Sequence, residues 1–216
     1  DNLLYQPDNT VSTFGVRAVP TAKYEAGDAI RRYILDWWLN AGLHEASPED
    51  DYVDQRLGLG LEYEPTTRLF SSLEGAYIDS HDPRGTGRAE GVSMPLLEEP
   101  DRWHSLGVEG RLAYGAEAAT GRIELDAGFI KKIYDNNRAF TFVRDRSDLY
   151  ASGRFLYRIG ARTSLVAEAR GTKYGYAQHI PGIPGLNSSV YRALAGFSWD
   201  ISEKTTGSAK AAYIIK

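Results

Sequence analysis

The sequence has no cysteine and only one methionine. The missing cysteine excludes a disulfide scaffold, a thiolate metal site and a cysteine nucleophile together. It is also compatible with passage through an oxidising compartment. Long apolar runs are missing too. The longest charge-free window, 174–191, holds Pro181, Pro184 and three glycines, which excludes a membrane helix of about 20 residues. Basic runs are absent, and 25 Lys and Arg against 29 Asp and Glu leave a net charge of −4, so no nucleic-acid partner is expected. No leader-like segment opens the chain, which implies either a cytoplasmic protein or one whose leader has been removed. A membrane protein built of strands passes every one of these tests.

What is present points to β structure. The 216 residues include 14 Tyr, 4 Trp and 22 Gly, types that suit strands and tight turns better than helices. From residue 50 onward the hydrophobic period is two rather than 3.6. Val53, Leu57, Leu59, Leu61 and Tyr63 share one face, while Asp54, Arg56, Glu62 and Glu64 share the other. The alternation recurs around Leu106–Tyr114, Ile123–Phe129, Leu149–Tyr157, Leu165–Ala169 and Tyr191–Trp199. Ten strands are expected, near 11–24, 29–43, 52–64, 68–80, 104–115, 121–134, 147–159, 163–174, 189–201 and 206–215. The second alternates as a strand does, although 31–43 also reads as a short amphipathic helix.

The links between these strands alternate in length. Short turns are expected at 25–27, 65–67, 116–120, 160–162 and 202–205, and long polar loops at 45–51, 81–103, 135–146 and 175–188. In an up-and-down meander all the long loops then lie at one end, as in outer-membrane barrels. Tyr24, Tyr63, Tyr114, Tyr157 and Trp199 each stand on the apolar face just before a short turn, which is where a membrane-interface girdle would lie. Tyr33, Tyr77, Trp103 and Tyr191 are expected in a second girdle at the other end. On the polar face, Arg56, Glu62, Glu109, Arg111, Glu124, Asp126, Arg154, Glu168, Arg170 and Arg192 are the candidate pore-lining residues. Arg17, Arg32, Asp36, Glu74 and Asp200 point the same way. The fold class that follows is all-β, an antiparallel up-and-down transmembrane β-barrel with about ten strands over residues 1–216.

Several segments resemble a known family. LGLGLEYEPTTRLFSSLEGAYIDS, SLGVEGRLAYG, YDNNRAFTFVRDRSDLYASGRFLYRIGARTSLVAEARGTKY and YRALAGFSWDISEKTTGSAKAAYI look like the hairpins of the outer-membrane β-barrel porins encoded beside exopolysaccharide and capsule genes in Gram-negative bacteria. The Asp1-Asn2-Leu3 opening and the turn patterns Thr66-Thr67-Arg68, Arg162-Thr163-Ser164 and Lys204-Thr205-Thr206 resemble that family as well. The resemblance implies a location in the bacterial outer membrane, no catalytic residues, and partners that are outer-membrane lipid, a polysaccharide and periplasmic export proteins. Two departures stand out: the family has more strands, and its last strand ends in an aromatic residue where this chain has Ile215-Lys216. Two expectations remain open, the N-terminal part of a longer barrel or a ten-stranded barrel with a nearly filled interior.

Candidate chemistry elsewhere is thin. His44, His81, His104 and His179 are expected at the long-loop end, with Asp51, Asp79, Asp82 and Asp101 near them in sequence. That leaves one alternative, a ten-stranded outer-membrane hydrolase with a His/Asp site in the external loops. The other is a soluble carbohydrate-binding β-sandwich. Asp79-Ser80-His81-Asp82 has metal-ligand residue types without a metal-binding spacing, so no metal and no cofactor are expected. Arg84-Gly85-Thr86-Gly87-Arg88 reads as a basic loop tip rather than a phosphate cradle. Ile180–Gly185, with two Pro-Gly pairs, reads as a rigid loop able to fold inward as a constriction.

Overall fold

A computed structural model describes residues 12–84, 98–116, 119–178, 182, 185–202 and 205–216. Eleven strands form one antiparallel sheet: β1 (Gly15–Ala18), β2 (Thr21–Gly27), β3 (Arg31–His44), β4 (Tyr52–Thr66), β5 (Leu69–Asp82), β6 (Asp101–Tyr114), β7 (Gly121–Tyr134), β8 (Arg146–Gly160), β9 (Thr163–Tyr176), β10 (Ser188–Ser202) and β11 (Thr205–Ile215). Each strand from β3 onward pairs with the next in sequence, so the topology is a plain meander. The residues 31–44 that could have been a helix are a 14-residue strand.

One strand more than expected appears because the first is broken. β1 and β2 both pair with β3 in a single register, Ala18 opposite Ala41 and Thr21 opposite Trp38. Pro20 lies in the gap, and without an N–H it cannot complete the ladder. Its carbonyl still accepts the Leu39 N–H at 3.0 Å. The expected 11–24 strand is therefore corrected to 15–18 and 21–27. β6 also begins earlier than expected, at Asp101, because Asp82 and Asp101 remain paired at the strand ends.

Four short connections sit within a residue or two of the expected places; the first is corrected from 25–27 to 28–30, because Glu25–Gly27 still pair with β3. At the first, Gly27 has φ 141° and the Asp28 carboxylate accepts the Ile30 and Arg31 N–H groups, each at 2.8 Å. At the third, Gly115 has φ 110°, and a side chain there would come within 2.5 Å of the Gly121 carbonyl. The other three hairpins carry register shifts beside their turns, at 63/66, 158/160 and 200/202.

The sheet is inside out relative to a water-soluble fold. Leu59, Leu73, Leu106, Leu149 and Tyr191 are each more than half exposed, all on one face. The opposite face holds the buried strand residues, among them Asp54, Asp82, Asp101, Ser105 and Glu124, and among the described residues ten polar or charged side chains, five of them in the long loops, are buried against three apolar ones. That polar face is concave. A cavity of about 530 Å3 is lined by both Lys23 of β2 and Tyr150 of β8. On a flat sheet, strands six places apart would be separated by ~29 Å, so the sheet must curl.

The register is sheared as well as curled. A line of cross-strand partners starting at Tyr24, near the first short turn, passes through Leu35, Leu59, Gly75, Val108, Phe129, Leu149 and Lys173 and leaves at Ser189, at the opposite end of β10. Such drift means tilted strands, as in barrel walls. The all-β antiparallel meander is as expected, but of the two expected forms the closed ten-stranded one is not seen: β1 and β2 at one edge and β11 at the other are not paired with each other, and the sheet is open. The path has ten positions, so its two edges run antiparallel.

Glycines face aromatic rings across the ladder. Gly42 is opposite Tyr52, Gly128 opposite Tyr150, Gly171 opposite Tyr191 and Gly207 opposite Trp199; in three of the pairs the ring lies where a Cβ would be, and at Gly171 it comes within 3.3 Å of that place. At Gly196 the obstacle is backbone: a Cβ would collide with the Ala209 carbonyl and approach Lys210 Cα to 2.7 Å. Gly196→Ala is therefore expected to part β10 from β11 and to cost about 1–3 kcal/mol. Gly160→Ala, with nothing within 4 Å of the new Cβ, should be neutral. Unfolding midpoints and amide exchange in β11 check both, and a Gly196→Ala variant with the parental midpoint would contradict this pairing.

Candidate functional site on the concave face

The concave face carries a continuous charge ladder. Glu124 on β7 is its hub, taking Arg122 at 2.8 Å, Arg154 of β8 at 3.4 Å and Arg111 of β6 at 3.6 Å. Arg111 also reaches Asp126 at 3.5 Å. Arg154 continues to Glu168 of β9 at 3.2 Å, and Glu168 takes Arg192 of β10 at 2.7 Å. Period-two alternation places these side chains on one face, and the register makes them neighbours. Six of the ten expected lining residues thus join in one network across five strands.

The other four lie near it or apart. Glu109 accepts the Tyr150 hydroxyl, and Arg170 stacks on the same ring at 4.6 Å. Arg56 pairs with Asp36, and Glu62 takes Arg32 at 2.7 Å, both on the β3–β4 side. Asp200 has its side chain outside the described residues. Sequence reasoning assigned no role to Tyr150, although its place opposite Gly128 follows from the same alternation.

A second set of contacts closes the long-loop end. Here the 135–145 loop contains a short helix, α1 (Arg138–Thr141), followed by a 3-10 turn over Phe142–Arg144. Arg144 donates to Asp82 of β5, Asp101 of β6 and the Tyr134 hydroxyl of β7, each at 2.6 Å. Asp101 is fully buried and also accepts Asn137 Nδ2 at 2.8 Å. Trp103 Nε1 donates to Asp82 at 3.0 Å, and Lys132 lies 3.7 Å above the Trp103 ring. These partners belong to the concave face, so it is this loop that folds over the mouth. The 180–185 loop expected in that role lies mostly outside the described residues, as does His179. A third knot, Arg84 with Asp50, Ser47 and Glu49, ties β5 to the 45–51 loop.

The three described histidines stand at the long-loop end, as expected, and on strands: His44 and His81 lie just beyond the expected strand ends, and His104 inside its expected strand. His44 ends β3, His81 lies in β5 and His104 in β6. His81 Nδ1 is 2.7 Å from Asp54, and its ring stacks on Tyr52 at 4.2 Å beside a cavity of about 290 Å3. His104 Nδ1 is 2.8 Å from Asp135. Asp79 and Asp82 diverge, and among the described residues no group of three or more His, Asp or Glu is placed to hold a metal ion. Two aromatics expected at the far girdle are elsewhere: Trp103 is on the polar face, and Tyr33, opposite Ala26, is at the short-turn end.

The loop-end carboxylates respond to acid. Burial pushes the Asp145 carboxyl up, but the Arg138 guanidinium and the Tyr134 N–H outweigh it, so the group lies below its ordinary value. Asp50 behaves alike: burial raises it, and hydrogen bonds from Arg84 and Ser47 bring it below the usual range. A lowered folded-state pKa means stability that is present above the unfolded value of about 3.9 and lost as pH falls through the folded value. Acidification from about pH 4 to pH 2 should loosen the 45–51 and 135–145 loops before the strands. Hydrogen exchange, corrected for its intrinsic pH dependence, checks this, and uniform loosening of loops and strands would contradict it.

Neither a protein-family model nor a curated protein matches the sequence.

Proposed function

We propose that this chain forms the wall, whole or in part, of a porin-like β-barrel in a bacterial outer membrane, and that it gives passage or docking to an exopolysaccharide during export rather than catalysing a reaction. The observation that carries this reading is the inverted burial, with apolar side chains exposed on the convex face and charged ones on the concave face. In water, each large apolar side chain left exposed forgoes about 1.5–3 kcal/mol. Against acyl chains that penalty disappears. A 14-residue strand is ~46 Å long and, at a tilt of ~40°, rises ~35 Å, enough to cross an apolar band of about 25 Å. Tyr24, Tyr63, Tyr114 and Tyr157 are exposed at the short-turn ends, with Trp199 beside the last short turn, as a membrane-interface girdle requires.

Strand number sets what such a wall can do. An open aqueous channel takes about 16 strands, whereas eight to ten enclose mostly side chains. Passage therefore goes with a sheet extended at its free edges, and docking with ten strands closed on themselves. In either case the luminal ladder meets the solute and the loops meet the exterior, while periplasmic export proteins dock at the short turns. A second reading, a hydrolase, draws support from one observation, the Asp54–His81 pair beside its cavity. Ester or peptide turnover lost in His81→Ala would favour it.

In mild detergent a closed barrel should migrate differently on a gel before and after boiling. In a planar bilayer a passage should conduct, and Arg111→Ala with Arg154→Ala should shift its anion/cation selectivity. A chain fully soluble without detergent would overturn the membrane reading.

A further inference from the structure

The inner face is unevenly charged. On β9–β11 the described inner side chains include three cations, Arg170, Arg192 and Lys210, and one carboxylate, Glu168. Glu168 is already shared between Arg154 and Arg192. Arg170 and Lys210 make no ion pair with any described carboxylate. Arg170 and Arg192 are moreover direct cross-strand partners, and like charges placed opposite each other repel. Arg192 Nε is buried with no hydrogen-bond partner, although a buried N–H normally finds one. The Arg170 guanidinium lies over the Tyr150 ring, 4.6 Å from its centre, a cation–π contact that helps to hold it in place.

We propose that Arg170, Arg192 and Lys210 form a binding strip for the carboxylates of an acidic polysaccharide. This names the charge class of the solute and rests on the reading that the concave face meets it. A carboxylate between the two guanidiniums removes their repulsion, and guanidinium planes suit carboxylates bidentately. Lys210, on the neighbouring strand and opposite Gly196, extends the strip along the face, which fits a polymer carrying repeated charges better than a single anion. A lipid headgroup would instead meet the convex face.

The test uses the chain in detergent micelles, titrated calorimetrically with polygalacturonate oligomers, with dextran oligomers of equal length and with inorganic phosphate. Acidic oligomers should bind, dextran should not, and phosphate should bind much more weakly than the polymer. Affinity should fall as salt shortens the Debye length from about 10 Å at 0.1 M to about 3 Å at 1 M. Arg170→Gln with Arg192→Gln should weaken polygalacturonate about tenfold or more, whereas Arg68→Gln, in a short turn, should not. Stability is read separately, on Arg170→Gln alone, which removes the like-charge pair and leaves the Arg192–Glu168 ion pair in place; it should unfold no earlier than the parent. Equal binding of dextran, or unchanged binding by the double variant, would each overturn the strip. Micelle binding needs no pore, so acid-selective binding without conductance would overturn the passage and leave the strip, while conductance without acid-selective binding would do the reverse.

Discussion

Antiparallel pairing in one register is the constraint on which the other features depend. Side chains alternate with a period of two, so a slip of one residue at any hairpin would put charged groups of the next strand on the apolar face. The slips that do occur are confined to the turn ends, at 63/66, 158/160 and 200/202, beyond most of the paired length. Long strands make this register robust, since a dozen pairs must be wrong at once. Pro20 tests it: the ladder is interrupted there, yet the pairing resumes without a shift.

Two kinds of charge cluster are built on that frame. The ladder from Arg111 to Arg192 consists of partly exposed pairs, with Arg154 and Arg192 about 40% exposed, so each pair adds little stability by itself. Its effect is to set a pattern of potential over the concave surface. The loop-end cluster around Arg144 is drier, because Asp101 is wholly buried and Asp82 nearly so. Removing one partner there leaves a buried charge uncompensated, and so this cluster holds the 135–145 loop across three strand ends. One region is suited to meeting solutes, the other to holding shape.

The open edges connect fold and function. β11 pairs with β10 alone, and β1 and β2 pair with β3 alone, which leaves rows of backbone N–H and C=O groups without ladder partners. In hydrocarbon such groups are costly, so a membrane-embedded sheet must either close or continue. Antiparallel edges and sheared strands permit closure, and the same edges would accept further strands. Curl is already present, as the cavity shared by β2 and β8 requires.

Much of this was legible in the residues. Alternation located nearly every strand within a few positions, and the short and long links came out in order. The polar set, from Arg56 to Arg192, fell on one face because parity alone assigns it. Partner choice was not legible, since a strand's parity says nothing about its offset from its neighbour. Glu124 became a hub, and Arg170 came to face Arg192, through offsets set by the turns. Arg144 lies in a loop with no periodic signal, so its reach to Asp82 and Asp101 could be read only in three dimensions. His81 joined a strand because the Asp82–Asp101 pairing extends β5 past its expected end. The sequence by itself determined an antiparallel meander with one apolar and one charged face, because side-chain parity is a local property of extended backbone. Tertiary structure alone decided which charges meet, which loop covers the mouth and that the charged face is the concave one, because these depend on register and curl summed over many strands.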